Sequence, residues 1–500
     1  MDSSFVIRTA RSKFGSRTAV VDGTGSLTFE QLDERVDALA AGLLTAAVPG
    51  RPVASILGNG IDTLVLYLAL ARAGLVSVAI NDRLSDAEIG FILDDCAAGT
   101  LVVDARQVPR LNAIQQAGGA AAEVFQVGVV ATGGRSLNDL EDSWDGRTVD
   151  LNVDDRDDCS IVYSSGTSGF PKGVVRTHKA NLWAVVNSFI GSPRTQGDVE
   201  MFVLPMFGIG FYFQIMPTLM AGGTVVLDDA FDAVRSWQLI ERHGVTRAFV
   251  APTMIAAMLD VPDNSRFDTS SIGVLAVAYE FAPELRDRAV ERFGNVFINM
   301  YGLTEAQLCA TDPGEFPASL AVGQAMGLAR VLLVDGVGAE VPVGETGEIV
   351  FESPAAMTRY LHQPEATAAT VHHDRVRTGD LGRLDEQGRL HFTGRLKEIV
   401  KSGGFNIDPV EVESVLLTYP GIREAALIGV PDERWGERAV AYVAAEPDIA
   451  PHLVIDHVRN QLAGFKTPKE IIVLDALPRN ATGKIHRATL REAYRGGDVE

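Results

Sequence analysis

From about residue 27 the chain alternates helical runs with short apolar strands: "LTFEQLDERVDALAAGLL", "PVASILG", "IDTLVLYLALARAG", "LVSVAI". Strands that return through helices lie parallel, so the alternation predicts a mostly parallel sheet. Thr28 with Gln31 predicts a capping box on the first helix, and Asn59 to Asp62 offers cap chemistry before the second. The cycle returns in "CSIVYSSGTSGFPKGVV", "GGTVVLDD", "SWQLIERHGVTRAFVAP" and "NVFINMYGLTEAQ", which predicts a second subdomain of the same parallel type. Beyond about 325 short alternating runs such as "GLARVLLVDG" and "GEIVFES" predict a small antiparallel or β-barrel-like unit. After "HFTGR" a mixed pattern of about 100 residues suits a separate α+β domain. The expected fold is therefore α/β, with a large N-terminal domain over 1–395 and a small C-terminal domain over 396–500.

One segment tests that reading. "MFVLPMFGIGFYFQIMPTLMAGG", Met201 to Gly223, is long and apolar enough to suggest a membrane helix. Pro205 and Pro217 interrupt it, Gly208 and Gly210 loosen it, and no Lys/Arg flank anchors it, so a buried strand, loop and helix are expected. The net charge of −21, from 44 basic and 65 acidic residues, argues against nucleic acid or an anionic membrane as partner. Small anions remain compatible, because a few lysines and backbone amides set a local field. Cys96, Cys159 and Cys309 are far apart and lack C-x-x-C spacing, so neither disulfides nor a thiolate metal site is expected. The first residues contain no apolar run of signal-peptide length, which makes the cytoplasm the expected compartment.

"YSSGTSGFPKGV", Tyr163 to Val174, concentrates glycine, hydroxyl residues and one lysine. Gly166 and Gly169 free backbone N–H groups to turn inward, Ser165, Thr167 and Ser168 add hydroxyls, and Lys172 adds a point charge suited to polyphosphate. This is not a P-loop, since Lys172 follows Pro171 and precedes Gly173 rather than a Ser/Thr that opens a helix.

Four further motifs follow in order: "YGLTE" at Tyr301–Glu305, "RTGDLG" at Arg377–Gly382, "GRLKEIVKSGGFNIDPVEVE" at Gly394–Glu413 and "PRNATGKIHR" at Pro478–Arg487. Together with the glycine-rich stretch they resemble the adenylate-forming superfamily of acyl- and aryl-CoA ligases, peptide-synthetase adenylation domains and beetle luciferases, most of all the acyl-CoA ligases. The resemblance implies ATP, Mg2+ and CoA as reactants and cofactors. A carboxylate is a poor electrophile; attack on the α-phosphorus of ATP converts it to an acyl-adenylate, from which a thiol displaces AMP.

By that resemblance the 165–169 cradle and Lys172 hold the β- and γ-phosphates, Tyr301 stacks on adenine, Thr304 bonds the α-phosphate, and Glu305 helps hold Mg2+. Asp380 and Arg395 are expected at the ribose, and Lys484 bridges carboxylate and α-phosphate. Lys484 must withdraw for thiol attack, so the C-terminal domain is expected to alternate between two faces about a hinge at Lys397. Lys401, Gly403 and Gly404 then line the pantetheine path, while Trp435 and Phe465 stand where some aryl-CoA ligases stack on the CoA nucleotide.

Two departures matter. Where many relatives read Leu-Pro-x-Phe-His, this chain reads "LPMFGIGFYF", which puts Gly208 in place of the imidazole. With Phe207, Phe211, Tyr212 and Gly302 nearby, a roomy, largely apolar pocket for a bulky carboxylic acid is expected. In "LAVAYEFAPEL", Tyr279 and Glu280 replace small residues at the adenine, where Glu280 either bonds the adenine amino group or crowds the nucleotide. Crowding would favour thiolation of a pre-formed acyl-adenylate. A stand-alone adenylation enzyme that loads a carrier protein and a luciferase-like oxygenase share the nucleotide motifs and are compatible with them. The assembly expected is a monomer or homodimer.

Overall fold

The helix–strand alternation builds two large sheets. The computed structural model describes residues 1–119, 121–128, 130, 134–142, 144–164, 171–278, 283–306, 308–310, 321–402, 405–432, 434–445, 449–479 and 485–496. The first sheet runs Arg359–Tyr360, Lys172–Thr177, Asp158–Ser164, Ser77–Ala79, Val53–Ile56, Thr100–Asp104, Glu123–Val127, Arg135–Ser136. It is parallel from Asp158–Ser164 to its last strand; Lys172–Thr177 turns back antiparallel. The second sheet is parallel from Phe297–Gly302 through Val274–Val277, Arg247–Phe249, Val199–Phe202 and Thr224–Leu227 to Thr18–Asp22.

Between the two sheets lies the largest core, in which Val53 and Val102 of the first meet Val20, Phe202 and Val225 of the second through helices Phe29–Ala46, Ile61–Arg72 and His178–Gly191. The capping box forms as expected, with Gln31 N donating to Thr28 Oγ1 at 3.2 Å and Thr28 N to Gln31 Oε1 at 2.9 Å. Asn59 does not cap the next helix. The amide of Ile61 donates instead to Asp22 Oδ2 at 2.9 Å, and Asn59 donates to the carbonyls of Leu204 and Asp228 at 2.8 and 3.0 Å. A residue expected to act locally thus ties together the C-terminal ends of strands from both sheets.

The apolar segment divides into the strand Val199–Phe202, a loop, a π-helical turn Phe211–Ile215 and the short helix Met216–Met220. Among the described residues no helix is long and apolar enough to cross a membrane. Residues 330–395 form a five-stranded antiparallel sheet in the place of the small β unit. The C-terminal sheet pairs Val400–Ser402, Phe405–Ile407, Ile422–Asp432 and Gly436–Ala445 antiparallel, with Glu470–Leu474 added parallel. Val412 and Val454, from helices Pro409–Leu416 and Pro451–Gln461, fill one face; Leu490 of helix Arg487–Gly496 fills the other. Cys96, Cys159 and Cys309 are buried and form no disulfide.

Candidate active site

Ligands of open α/β sheets sit beyond the carboxyl ends of parallel strands, and here Tyr301, Asp380 and Arg395 gather at such an end. Strand Phe297–Gly302 emerges at Tyr301, whose hydroxyl donates to Asp380 Oδ2 at 2.7 Å. The ring stacks on Phe351, with centroids 6.1 Å apart and planes at 22°, and leans over Phe392 at 5.6 Å. Antiparallel register sets Asp380 opposite Arg395, whose Nε lies 3.2 Å from Asp380 Oδ1. One buried carboxylate therefore holds a phenol on one oxygen and a guanidinium on the other. Carboxylate oxygens are also the acceptors that suit sugar hydroxyls. Burial and the Asp380 charge raise the Tyr301 pKa well above its ordinary value, so the phenol stays a donor.

On the neighbouring side, the strands Asp158–Ser164 and Lys172–Thr177 pair antiparallel with Ser164 opposite Lys172. Ser165, Gly166, Thr167, Ser168 and Gly169 lie outside the described residues, as do Tyr279, Glu280, Gly403, Gly404 and Lys484. Lys172 Nζ stands 5.1 Å from the ring centroid of Tyr360, and the Tyr360 hydroxyl donates to Glu305 Oε1 at 2.9 Å. Behind them Arg176 donates from Nη1 to the Thr304 carbonyl at 2.8 Å and from Nε to Asn181 Oδ1 at 2.8 Å. Burial raises the Glu305 carboxyl pKa, while the Tyr360 bond and the Arg176 charge pull it down. Lys172, Thr304 and Glu305 are thus assembled through two residues, Arg176 and Tyr360, that lie outside the sequence motifs. Arg176 had a signal, being a charged residue inside the apolar strand run "KGVVRT". Tyr360 arrives from a distant edge strand and had none.

The expected acyl-side residues divide. Phe207 and Gly208 are half-buried and Gly302 is exposed. A Cβ built on Gly208 would meet nothing nearer than the Pro205 carbonyl oxygen at 3.8 Å, so open space adjoins this position. Phe211 and Tyr212 turn into the core instead: Phe211 packs edge-on against Tyr67 at 5.5 Å and Tyr212 at 4.9 Å, and the Tyr212 hydroxyl lies 3.8 Å from Cys159 Sγ.

The C-terminal unit offers a more open set. Leu396 N donates to the Gly379 carbonyl at 2.9 Å, after which the exposed Lys397 occupies a turn. Lys401 is exposed in the strand that leads to Gly403 and Gly404. Phe405 and Phe465 stack at 4.5 Å although 54% and 37% exposed, and Trp435 lies under Arg434 at 4.6 Å. Arg479 and Ile485 form an isolated antiparallel bridge, and Arg487 beyond it pairs with Glu413 at 2.8 Å and Glu398 at 3.4 Å.

Known proteins match the chain over most of its length. The AMP-binding enzyme family matches residues 7–361, and the AMP-binding enzyme C-terminal domain matches 411–484. A feruloyl-CoA synthase of an Amycolatopsis species is 34% identical over 98% of both chains, and an indoleacetate–CoA ligase of Aromatoleum aromaticum is 34% identical over 95% of both. Among solved structures, the ATP-bound MatB of Rhodopseudomonas palustris superposes with a TM-score of 0.89 at 28% identity, covering 99% of each chain. The amide bond synthetase McbA of Marinactinospora thermotolerans superposes with a TM-score of 0.88 at 26% identity, covering 98% of this chain and 100% of that one.

Proposed function

The chain belongs to the AMP-binding enzyme family of adenylate-forming acid–thiol ligases, and from that premise we propose that it activates a bulky, largely apolar carboxylic acid and passes the acyl group to CoA. The acid carboxylate attacks the α-phosphorus of ATP, the bond to the β-phosphate breaks, and pyrophosphate leaves. The CoA thiol then attacks the acyl carbon, expelling AMP and releasing the thiol proton. The observation that carries this reading is a pair of side-chain clusters that join strands of three sheets: Tyr301–Asp380–Arg395 for the nucleoside, and Lys172–Tyr360–Glu305 beside Thr304 for the phosphates.

Arg176, by fixing the Thr304 carbonyl, aims the Thr304 hydroxyl and amide as a unit at the α-phosphate. Residues 165–169 and Lys172 bind the departing pyrophosphate, Lys484 bridges carboxylate and α-phosphate, and Asp380 with Arg395 orients the ribose. Among the described residues no three His, Cys, Asp or Glu side chains converge as a metal cage. Glu305 alone suits Mg2+, which commonly binds through one or two carboxylates together with substrate phosphates. When bound there, Mg2+ supplies charge neutralisation on the phosphate oxygens.

For the second step, the domain boundary falls after Arg395 and the C-terminal domain turns about Lys397, exchanging Lys484 for the Lys401–Gly404 segment. Trp435 and the Phe405–Phe465 pair face the CoA nucleotide. The acid lies between Phe207–Gly208 and Gly302, where the space beside Gly208 favours bulk. Incubation with ATP, Mg2+, CoA and a panel of aryl, fatty and polycyclic acids tests the reading through acid-dependent pyrophosphate release and the mass of the thioester. Release without a CoA thioester, but with an amide when an amine is supplied, would reassign the acceptor.

A further inference from the structure

The second sheet carries charged residues on one face that the chemistry above does not use. Register sets Glu200 beside Arg247 and Arg247 beside Val274, and one pleat further on sets Ala276 beside Ile298. The opposite face, with Met201, Leu275 and Phe297, is an ordinary apolar core. On the charged face, Arg194, Glu200, Gln214 and Arg247 line a cavity of about 10 Å3, walled also by Ala276 and Met300. That space holds roughly one water-sized group.

Arg194 is saturated there. Its Nε faces Glu200 at 3.3 Å, Nη1 donates to the Ser192 carbonyl at 2.6 Å, and Nη2 donates to Gln214 Oε1 at 3.3 Å. Arg247 is not: its terminal nitrogens reach the Pro193 carbonyl at 3.5 Å and the Ser192 hydroxyl, but its buried Nε has no acceptor among the described residues. The Gln214 amide donates to Met300 Sδ at 3.8 Å, a weak acceptor. Glu200 and Asp198 set carboxylate charge against the two guanidinium groups, yet burial, with Arg194 adding to it, lowers the Arg247 pKa. An unpaired buried donor beside a cavity calls for an acceptor.

The strand that walls the cavity runs on to the site. Ile298, Met300 and Gly302 share one face of their strand, and Gly302 is exposed where Thr304 begins. Ile298 lies four residues before Gly302, and at ~3.3 Å each this puts the cavity about 13 Å below Gly302. Met300, unbranched and adaptable, stands between.

We infer that this cavity is the remote end of the acyl pocket, and that the acid carries a carbonyl-type oxygen about 13 Å from its reacting carboxylate, accepting hydrogen bonds from Arg247 and Gln214. The inference rests on the ligase reading and refines it: the pocket has apolar walls and a polar floor.

The test uses the full-length protein with ATP, Mg2+, CoA and matched pairs of polycyclic or aryl-chain acids, one member bearing a remote ketone and the other a methylene at the same position. Keto acids are expected to exceed their partners about 10- to 100-fold in kcat/KM for pyrophosphate release. Arg247→Lys and Gln214→Leu are each expected to shrink that ratio. A ratio taken on one preparation cancels any loss of folded protein. Equal turnover of the paired acids, preference for the methylene, or a ratio unmoved by both variants overturns the inference and leaves the ligase reading standing. Absence of pyrophosphate and thioester with every acid overturns the ligase reading, and this inference with it.

Discussion

The nucleotide side and the C-terminal side of the site are built differently. On the nucleotide side each functional group is held by another: Asp380 by Tyr301 and Arg395, Glu305 by Tyr360, the Thr304 carbonyl by the wholly buried Arg176. On the C-terminal side Trp435, Phe405 and Phe465 present broad exposed rings, and Lys401 is exposed. A charge-stabilising site gains from donors fixed before reaction, whereas a unit that must show two faces in turn gains from contacts it can release. The contrast predicts that damage to the first side slows adenylation steeply, while damage to the second affects thiolation mildly, with Lys484 as the exception.

Lys484 is the sharpest way to break that comparison, because the proposed function gives this residue of the C-terminal domain a role in adenylation. Lys484→Ala is expected to slow acid-dependent pyrophosphate release about 10²- to 10³-fold, while CoA still captures a synthetic acyl-adenylate at near the original rate. Equal loss in both assays would remove Lys484 from its assigned step. Asp380→Asn comes next: the amide keeps the shape but loses the charge that Arg395 faces and the second acceptor oxygen. A charge-assisted bond of ~1.5–3 kcal/mol corresponds to roughly 10- to 100-fold in kcat/KM for ATP. The thiolation rate from pre-formed adenylate should change less, and an equal change would show that Asp380 acts on the acyl group's geometry in both steps.

These two sides were also unequally legible in the sequence. The parallel sheets followed from helix–strand alternation, and the membrane-length apolar segment was correctly divided by its prolines and glycines. Tyr301, Asp380 and Arg395 meet because each lies in a motif at a strand end or hairpin. Tyr360 could not be found that way, since an edge strand 55 residues from Glu305 carries no local sign of its partner. Asn59 misled for a related reason: cap chemistry is local, but the two sheet ends lying across from it offered carbonyls that no local pattern announces. Phe211 and Tyr212 shared the composition of a pocket wall, and only packing against Tyr67 and Cys159 turned them inward.

On the C-terminal side a smaller effect is expected. Phe465→Ala removes one ring of the exposed Phe405–Phe465 stack. Loss of one stacking partner, about 1 kcal/mol, corresponds to roughly a fivefold rise in KM for CoA, with pyrophosphate release in the absence of CoA near its starting rate. A large fall in that release would mean that the ring supports the adenylation arrangement as well, which would blur the distinction between the sides.

The smallest effect concerns the buried polar anchor beside the hinge. Arg487 Nη2 lies 2.8 and 2.9 Å from the Glu413 oxygens, with Glu398 on its other nitrogen and Asp408, Glu411 and Lys466 close by. Burial pushes the Glu413 carboxyl from its ordinary 4.5 up to about 7, against the pull of Arg487, and pushes Asp408 from 3.8 up to about 6. Between the ordinary and raised values the folded protein holds protons that the unfolded chain has released. The stability contribution is therefore fully present below about 4, falls as pH rises toward 7, and is lost above it. Glu413→Gln cannot titrate, so wild type should lose melting temperature relative to this variant by ~2–4 °C between pH 5 and pH 8. A pH-independent difference would mean that Arg487 keeps Glu413 ionised throughout. The C-terminal side would then be anchored at its hinge as firmly as the nucleotide side is at Asp380, and the contrast between them would be confined to the exposed aromatic face.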